Sequence, residues 1–211
     1  MAFYNTEDMD RWERFYRANF INSLTGFKSV SLIGTTNANG QNNLGIFSSI
    51  VHLGSNPPLI GYINRPIESA AHTLENIQST GVYTINHIQS QFVQQAHQTS
   101  AKYSKEISEF EEVGLTPEFE LNCIAPFVRE SDIKYALSLE EIIPIQLNRT
   151  FLVIGKITGI IIHQDIVSDD GFIHLEKANS ICSNGIDAYY NTDFIDRFEY
   201  AKPGKPTQII K

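Results

Sequence analysis

Cysteine is scarce in this chain: two in 211 residues, Cys123 and Cys182, with no C-x-x-C spacing. That argues against a disulfide framework and against a four-ligand zinc site. Cys123 lies in LNCIAPF and Cys182 in NSICSNG, neither beside an evident basic cluster, so both read as inert small residues. Positive charge is also short. Sixteen Lys and Arg face 24 Asp and Glu, a formal net charge of −8. A nucleic-acid or anionic-membrane surface needs a basic stripe, so neither partner is expected. A small anion held in a local basic pocket remains compatible with this balance. No apolar run approaches the roughly 18 residues of a membrane span. The opening MAFYNTEDMDRWERFYRANF lacks the apolar core of a signal peptide. A soluble cytoplasmic protein is the expectation. Missing too are GxGxxG, GxxxxGK[ST], HExxH and GxSxG. The six histidines (His52, His72, His87, His97, His163 and His174) form no i, i+4 pair on a helix, so no metal site is expected.

What remains is ordinary globular material, 42% hydrophobic and 19% charged, enough for one packed domain. Trp12, Phe15, Tyr16 and Phe20 fall on one face of a helix that Asn5 or Thr6 caps and Gly26 follows. Strand signals come next. Residues 27–36 (FKSVSLIGTT) and 44–53 (LGIFSSIVHL) flank the turn Asn37-Ala38-Asn39-Gly40 and read as a hairpin. Asn56-Pro57-Pro58 breaks the second strand, and 59–63 (LIGYI) forms a third. Residues 69–79 look helical, with Leu74 and Ile77 inward and Gly81 as the stop. A fourth strand spans 82–88 (VYTINHI), followed by a short polar helix over 89–97. Residues 99–122 read as loop with short helical turns. Residues 133–147, interrupted by Pro144, and 150–163 (TFLVIGKITGIIIH) supply the last strands, the second of them glycine-punctuated as in a curved sheet. Residues 188–211 read as a tail with little regular structure. Strands outnumber helices and do not alternate with long ones. The expected architecture is therefore mainly β, a small barrel with peripheral helices.

The chemistry concentrates in residues 42–88. Ser48-Ser49 interrupts an apolar strand, placing one hydroxyl on each face. Arg65-Pro66 follows the third strand, and His72-Thr73 opens a helix. Each alone has a plain structural explanation: a hydroxyl bonded to backbone, a solvated loop arginine, a helix-start residue. Together they offer a strand, a cation and a helix N-terminus, complementary donors for one phosphate dianion.

The string FSSIVHLGSNPPLIGYI, then RP, HTLENI and GVYTINH, strongly resembles the flavin reductase-like proteins of the FMN-binding split-barrel fold. HQTSAKY (97–103), SEFEEVGLTP (108–117) and APFVRES (125–131) resemble further blocks of that family, and the likeness runs from about residue 24 to about 165. It implies a Greek-key split β-barrel in a single domain over 1–211: an N-terminal helix to residue 25, the barrel over 26–165 and a C-terminal extension over 166–211. It further implies a homodimer with non-covalent FMN near the interface. Phe47, Ser48, Ser49 and Ile50 would run along the flavin and its ribityl arm. Arg65, Thr73 and Lys102 would hold the phosphate, and Asn86, with His87 beside it, would lie close to the cofactor. Residues 67–70 (IESA) depart from the pattern in adding no second basic residue, and 133–142 departs enough that no roles carry over. The implied activity is oxidation of NAD(P)H by FMN, with electrons passed to a monooxygenase or another acceptor. Two other functions fit the same residues: a non-enzymatic FMN electron carrier, and a barrel that has lost flavin and binds another small molecule or a partner protein.

Overall fold

The computed structural model describes residues 1–68 and 71–210. Two short helices open the chain, α1 (Thr6–Asp10) and α2 (Arg14–Leu24). The single N-terminal helix expected from the aromatic periodicity is thus broken at residues 11–13. Each half has its own cap. Asn5 accepts the Asp8 N–H in a capping box, and the Glu13 carboxylate accepts the N–H groups of Phe15 and Tyr16. Trp12, Tyr16 and Phe20 still share a face, with ring centroids 4.8–6.1 Å apart. Phe15 leaves that face and is exposed.

Short β1 (Lys28–Ser29) leads into β2 (Ser31–Thr36), which turns at residues 37–41 into β3 (Asn42–Phe47). The strand expected over 44–53 is two strands, because Ser48 and Ser49 separate β3 from β4 (Ile50–Ser55). Then come β5 (Pro58–Asn64), α3 (Ala71–Thr80) and β6 (Val82–His87). The expected helix began at residues 69 and 70, which lie outside the described residues. A 3-10 turn over Ser90–Phe92 runs into α4 (Val93–Gln98), followed by α5 (Glu109–Val113) and the small pair β7 (Pro117–Glu118) and β8 (Phe127–Val128). Two long strands, β9 (Ile133–Ile145) and β10 (Thr150–Ile162), pair along their whole length. Pro144 does not break β9, contrary to expectation. It pairs opposite Phe151 beyond the end of β6, so one side of the strand is open there and the missing N–H removes no β6 bond. Last come β11 (Cys182–Asn184) and β12 (Ala188–Tyr190).

The main sheet has the order β3-β2-β6-β9-β10-β5-β4, antiparallel throughout. Its two outer strands are consecutive in the chain. Three Cα steps, about 11 Å at most, join Phe47 to Ile50, so the sheet must roll until its edges meet. Ser49 extends the β4–β5 pairing by one residue as the chain crosses from one edge to the other: its hydroxyl donates to the Ile63 carbonyl at 3.1 Å, and its own carbonyl accepts the Ile63 N–H at 3.3 Å. The result is the split barrel that the family resemblance implied. Every residue of β2 is buried. Leu32 faces one core with Leu44, Phe92, Phe110 and Val128, and Ile33 faces the barrel interior with Tyr62, Leu74, Ile77 and Tyr83. Curvature comes from register shifts in β10 at Ile154/Gly155 and Ile157/Gly159. A Cβ at Gly155 would overlap the Tyr83 hydroxyl, so glycine lets the wall bend onto that ring.

The C-terminal extension is woven into the fold. β11 pairs with β1, and Ile181 enters the core of Val30 and Leu32. The irregular tail expected from residue 188 begins instead with β12, which pairs with β11; the described residues beyond it are largely irregular, with one bridge between Phe198 and Ile209. No helix among the described residues is long and apolar enough to cross a membrane.

Candidate functional site

A cleft of about 860 Å³ lies where the barrel edge, the start of α3, the loop after α4 and the β11–β12 hairpin meet. That is the size of a cavity that encloses a cofactor or other small ligand. Its floor is β3 with the two residues that follow: Gly45, Ile46, Phe47, Ser48 and Ser49. Gly45 makes room for the Phe47 ring, which a Cβ there would approach to 3.2 Å. The Phe47 ring packs edge-on against Tyr62, centroids 5.0 Å apart, and so closes the barrel beneath the cleft.

Two cations and a helix start are among the residues that line the cleft. Arg65 leaves β5, Lys102 follows α4, and both line the cleft. Both are exposed, and neither forms an ion pair among the described residues. Thr73 stands in the first turn of α3, 7% exposed, its Oγ1 held by Asn43 Nδ2 at 3.2 Å. A helix start adds positive potential.

The structure therefore brings Phe47, Ser48, Ser49, Arg65, Thr73 and Lys102 to one cleft, although they span 56 positions of sequence. Two expected residues stay away from it. Ile50 packs with the barrel interior, and its carbonyl accepts the Ser29 hydroxyl at 3.0 Å. Asn86 is fully buried. Its Nδ2 donates to the Leu32 carbonyl and Thr84 Oγ1, and its Oδ1 accepts the Val128 N–H at 2.9 Å. Every polar group of that amide is used to tie β2, β6 and β8 together, which corrects its expected place beside the cofactor. His87 likewise faces inward, with Nδ1 3.2 Å from Ser180 Oγ.

Several lining residues escape sequence reasoning. Glu109 of α5 is 6% exposed, and its carboxylate accepts the Leu44 N–H at 2.9 Å, saturating the open edge of β3. Burial pushes its pKa up, and the Leu44 bond opposes this only in part. Lys28, Ser183, Ile186, Asp187 and Tyr189 also line the cleft. Tyr189 hydrogen-bonds His97 Nδ1 at 2.7 Å. No local pattern marks these residues, because each meets the cleft through contacts far apart in sequence. Among the described residues no three His, Cys, Asp or Glu side chains converge as metal ligands.

Fold and cleft together describe a split barrel with a cleft of cofactor size at its edge. The sequence matches the family model of the flavin reductase like domain over residues 25–178. The chain belongs to that family, which places it among flavin-related oxidoreductases. It is 47% identical to a flavin reductase candidate with split barrel domain from Shewanella frigidimarina, across 95% of this chain and 100% of that one, with a TM-score of 0.92. It is also similar to nitrilotriacetate monooxygenase component B from Bacillus cereus: 20% identity, 92% and 97% of the two chains covered, TM-score 0.81. A third likeness is to the 2-nitrobenzoate 2-nitroreductase of Pseudomonas fluorescens: 18% identity, 94% and 96% covered, TM-score 0.79. These last two show the shared fold.

Proposed function

We propose that the protein binds FMN non-covalently in this cleft, oxidises NAD(P)H and passes the electrons to a separate acceptor, as a homodimer in the cytoplasm. The observation that carries this reading is that Arg65 and Lys102, neither in an ion pair among the described residues, line the same cleft as the first turn of α3. A phosphate monoester takes charge-assisted bonds from a guanidinium and an ammonium, and it suits a helix N-terminus. The residues present fit the group. The cleft volume suits one cofactor.

Bound FMN supplies hydride acceptance and the release of electrons singly or in pairs. The chain's own work is binding and positioning. Arg65 donates to phosphate oxygens, and Lys102 adds a second charge. Asn43 holds the hydroxyl of Thr73, which lines the same cleft. The Ser49 hydroxyl is committed to the Ile63 carbonyl, so Ser48 offers the free hydroxyl of the pair. Glu109 holds the edge of β3, and with it the floor, at a fixed height. Transfer of a hydride needs no general acid or base from the chain. A relative named as a monooxygenase component supports an acceptor of that class.

The test is the visible spectrum of the purified protein after FMN loading and desalting, followed by anaerobic addition of NADH or NADPH. Retained flavin bands that bleach on addition support the reading. Retained bands that do not bleach replace the reductase by an electron carrier. Loss of all flavin on desalting, with no turnover of added FMN, overturns the cofactor assignment.

A further inference from the structure

The described residues after Tyr190 lie beyond the matched family domain, and all but Arg197 are exposed. They nevertheless form a hairpin. Phe198 bridges Ile209, the Ile210 N–H donates to the Arg197 carbonyl, and the Glu199 N–H donates to the Gln208 carbonyl, both at 2.9 Å. The root of the hairpin is fixed: Arg197 pairs with Asp170 and lies over the Phe172 ring, 4.2 Å from its centroid. A two-stranded hairpin by itself is marginal in water. This one holds Phe198, Tyr200, Ile209 and Ile210 in solvent, with Ile195 just before it. The N-terminal helices show the same want of cover. Neither α1 nor α2 buries a residue, and Phe3, Tyr4, Phe15 and Tyr16 are exposed. Trp12 packs against the rings of Tyr4 and Tyr16. Hairpin and helices do not cover each other within one chain, since both stay exposed.

From this we infer that residues 195–210 are an arm that crosses to a second copy of the chain and covers its α1–α2 aromatic face. The inference rests on the proposed homodimer. Charge selects the pairing. Residues 1–10 hold Glu7, Asp8 and Asp10 with no Lys or Arg, whereas residues 200–210 hold Lys202 and Lys205 with no Asp or Glu. Complementary charge decides which surfaces meet, while apolar area supplies the hold. Symmetry favours the exchange as well. Each copy carries one arm and one face, so a twofold dimer makes the contact twice and leaves neither surface bare.

Two measurements test this, and neither needs bound flavin. The first is the dimer dissociation constant by sedimentation equilibrium, for the parent and for Ile195→Asp with Tyr200→Asp. Those side chains are 86% and 90% exposed in one chain, so the change spares the fold, and the far-UV spectrum checks that it does. The constant is expected to rise about tenfold or more, because charge replaces apolar area in the contact. The second is acrylamide quenching of Trp12, the chain's single tryptophan, which reports on the face directly. Quenching is expected to be weak in the parent dimer and to rise severalfold on dilution to monomer and in the arm variant. A variant that dimerises as tightly as the parent overturns the arm and leaves the homodimer standing. Equal quenching of Trp12 in parent monomer and dimer overturns the face as the place where the arm lands. A parent that is monomeric at micromolar concentration overturns the homodimer and this inference together.

Discussion

Arg65 and Lys102 are the side chains on which the proposed cofactor site depends most. A hydrogen bond to a charged group is worth about 1.5–3 kcal/mol, and tenfold in affinity is about 1.4 kcal/mol. Arg65→Ala is therefore expected to weaken FMN binding about tenfold to a hundredfold, and Lys102→Ala less, because an ammonium on a flexible stem makes no bidentate contact. Titration of FMN fluorescence against each variant reads both effects, and an Arg65→Ala variant with parental affinity removes the phosphate assignment. His87 sets a pH dependence at the same scale. Burial pushes its imidazole down to about 4, against an ordinary value near 6.5. Below about 6.5 the unfolded chain takes up a proton that the folded chain refuses. The stabilisation from the neutral ring is thus complete above about 6.5 and is lost as pH falls toward 4, by up to about 3 kcal/mol. Urea unfolding of the parent and of His87→Gln at pH 7 and pH 4.5 is expected to show the parent losing more stability over that interval. Equal losses would mean that His87 is not the group responsible.

Local signals reached most elements and missed their joints. Alternation, β-branching and turn residues marked β2, β5, β6 and β10 closely, because those features act within a few residues. The split between β3 and β4 was not legible. Both halves of 44–53 are good strand, and only the roll of the sheet shows that Ser48-Ser49 carries the chain from one edge to the other. Pro144 misled for the same reason, since whether a proline breaks a strand depends on which neighbour lies beside it. The site divides likewise. Ser48, Ser49, Arg65 and Thr73 were legible within one contiguous block, whereas Glu109 meets Leu44 across 65 positions. Asn86 was placed at the cofactor by likeness, yet its amide is consumed by three elements of the core. The crossing at Ser49 can be tested directly. Ser49→Ala removes the hydroxyl bond to Ile63 and is expected to cost about 1 kcal/mol, with faster amide exchange at the start of β4. The extension has its own clasp: His174 lies 2.9 Å from Ser168 Oγ through Nε2 and 2.8 Å from Glu176 Oε1 through Nδ1. His174→Ala is expected to cost about 1–3 kcal/mol and to raise exchange over residues 166–174. A variant that leaves both unchanged would show that the clasp adds no stability.

At the scale of the whole molecule, one feature is unexplained by a single copy of the chain. Neither α1 nor α2 has a buried residue, although the aromatic load there is high. Tyr4, Trp12, Tyr16 and Phe20 form one ring cluster, and Phe3, Phe15, Leu24 and Phe27 are each at least 66% exposed. Ordering two helices costs conformational entropy that such a face offsets only when something covers it. Large exposed apolar surface is a mark of an interface. The sequence showed the aromatic stripe but not whether the stripe would find its cover within the chain, because a barrel of this length can bury one helix face of its own. With the fold in hand, the barrel leaves the face uncovered, and the proposed second copy supplies the cover. Sedimentation is then expected to give a mass near twice 23.8 kDa, independent of salt, since the contact is apolar. Trp12→Ala with Phe15→Glu is expected to shift the species toward the monomer, and the far-UV spectrum tells dissociation from unfolding. A parent that sediments as a monomer at micromolar concentration would overturn the assignment of this face, and FMN affinity in that monomer would then decide whether one chain completes the cofactor site alone.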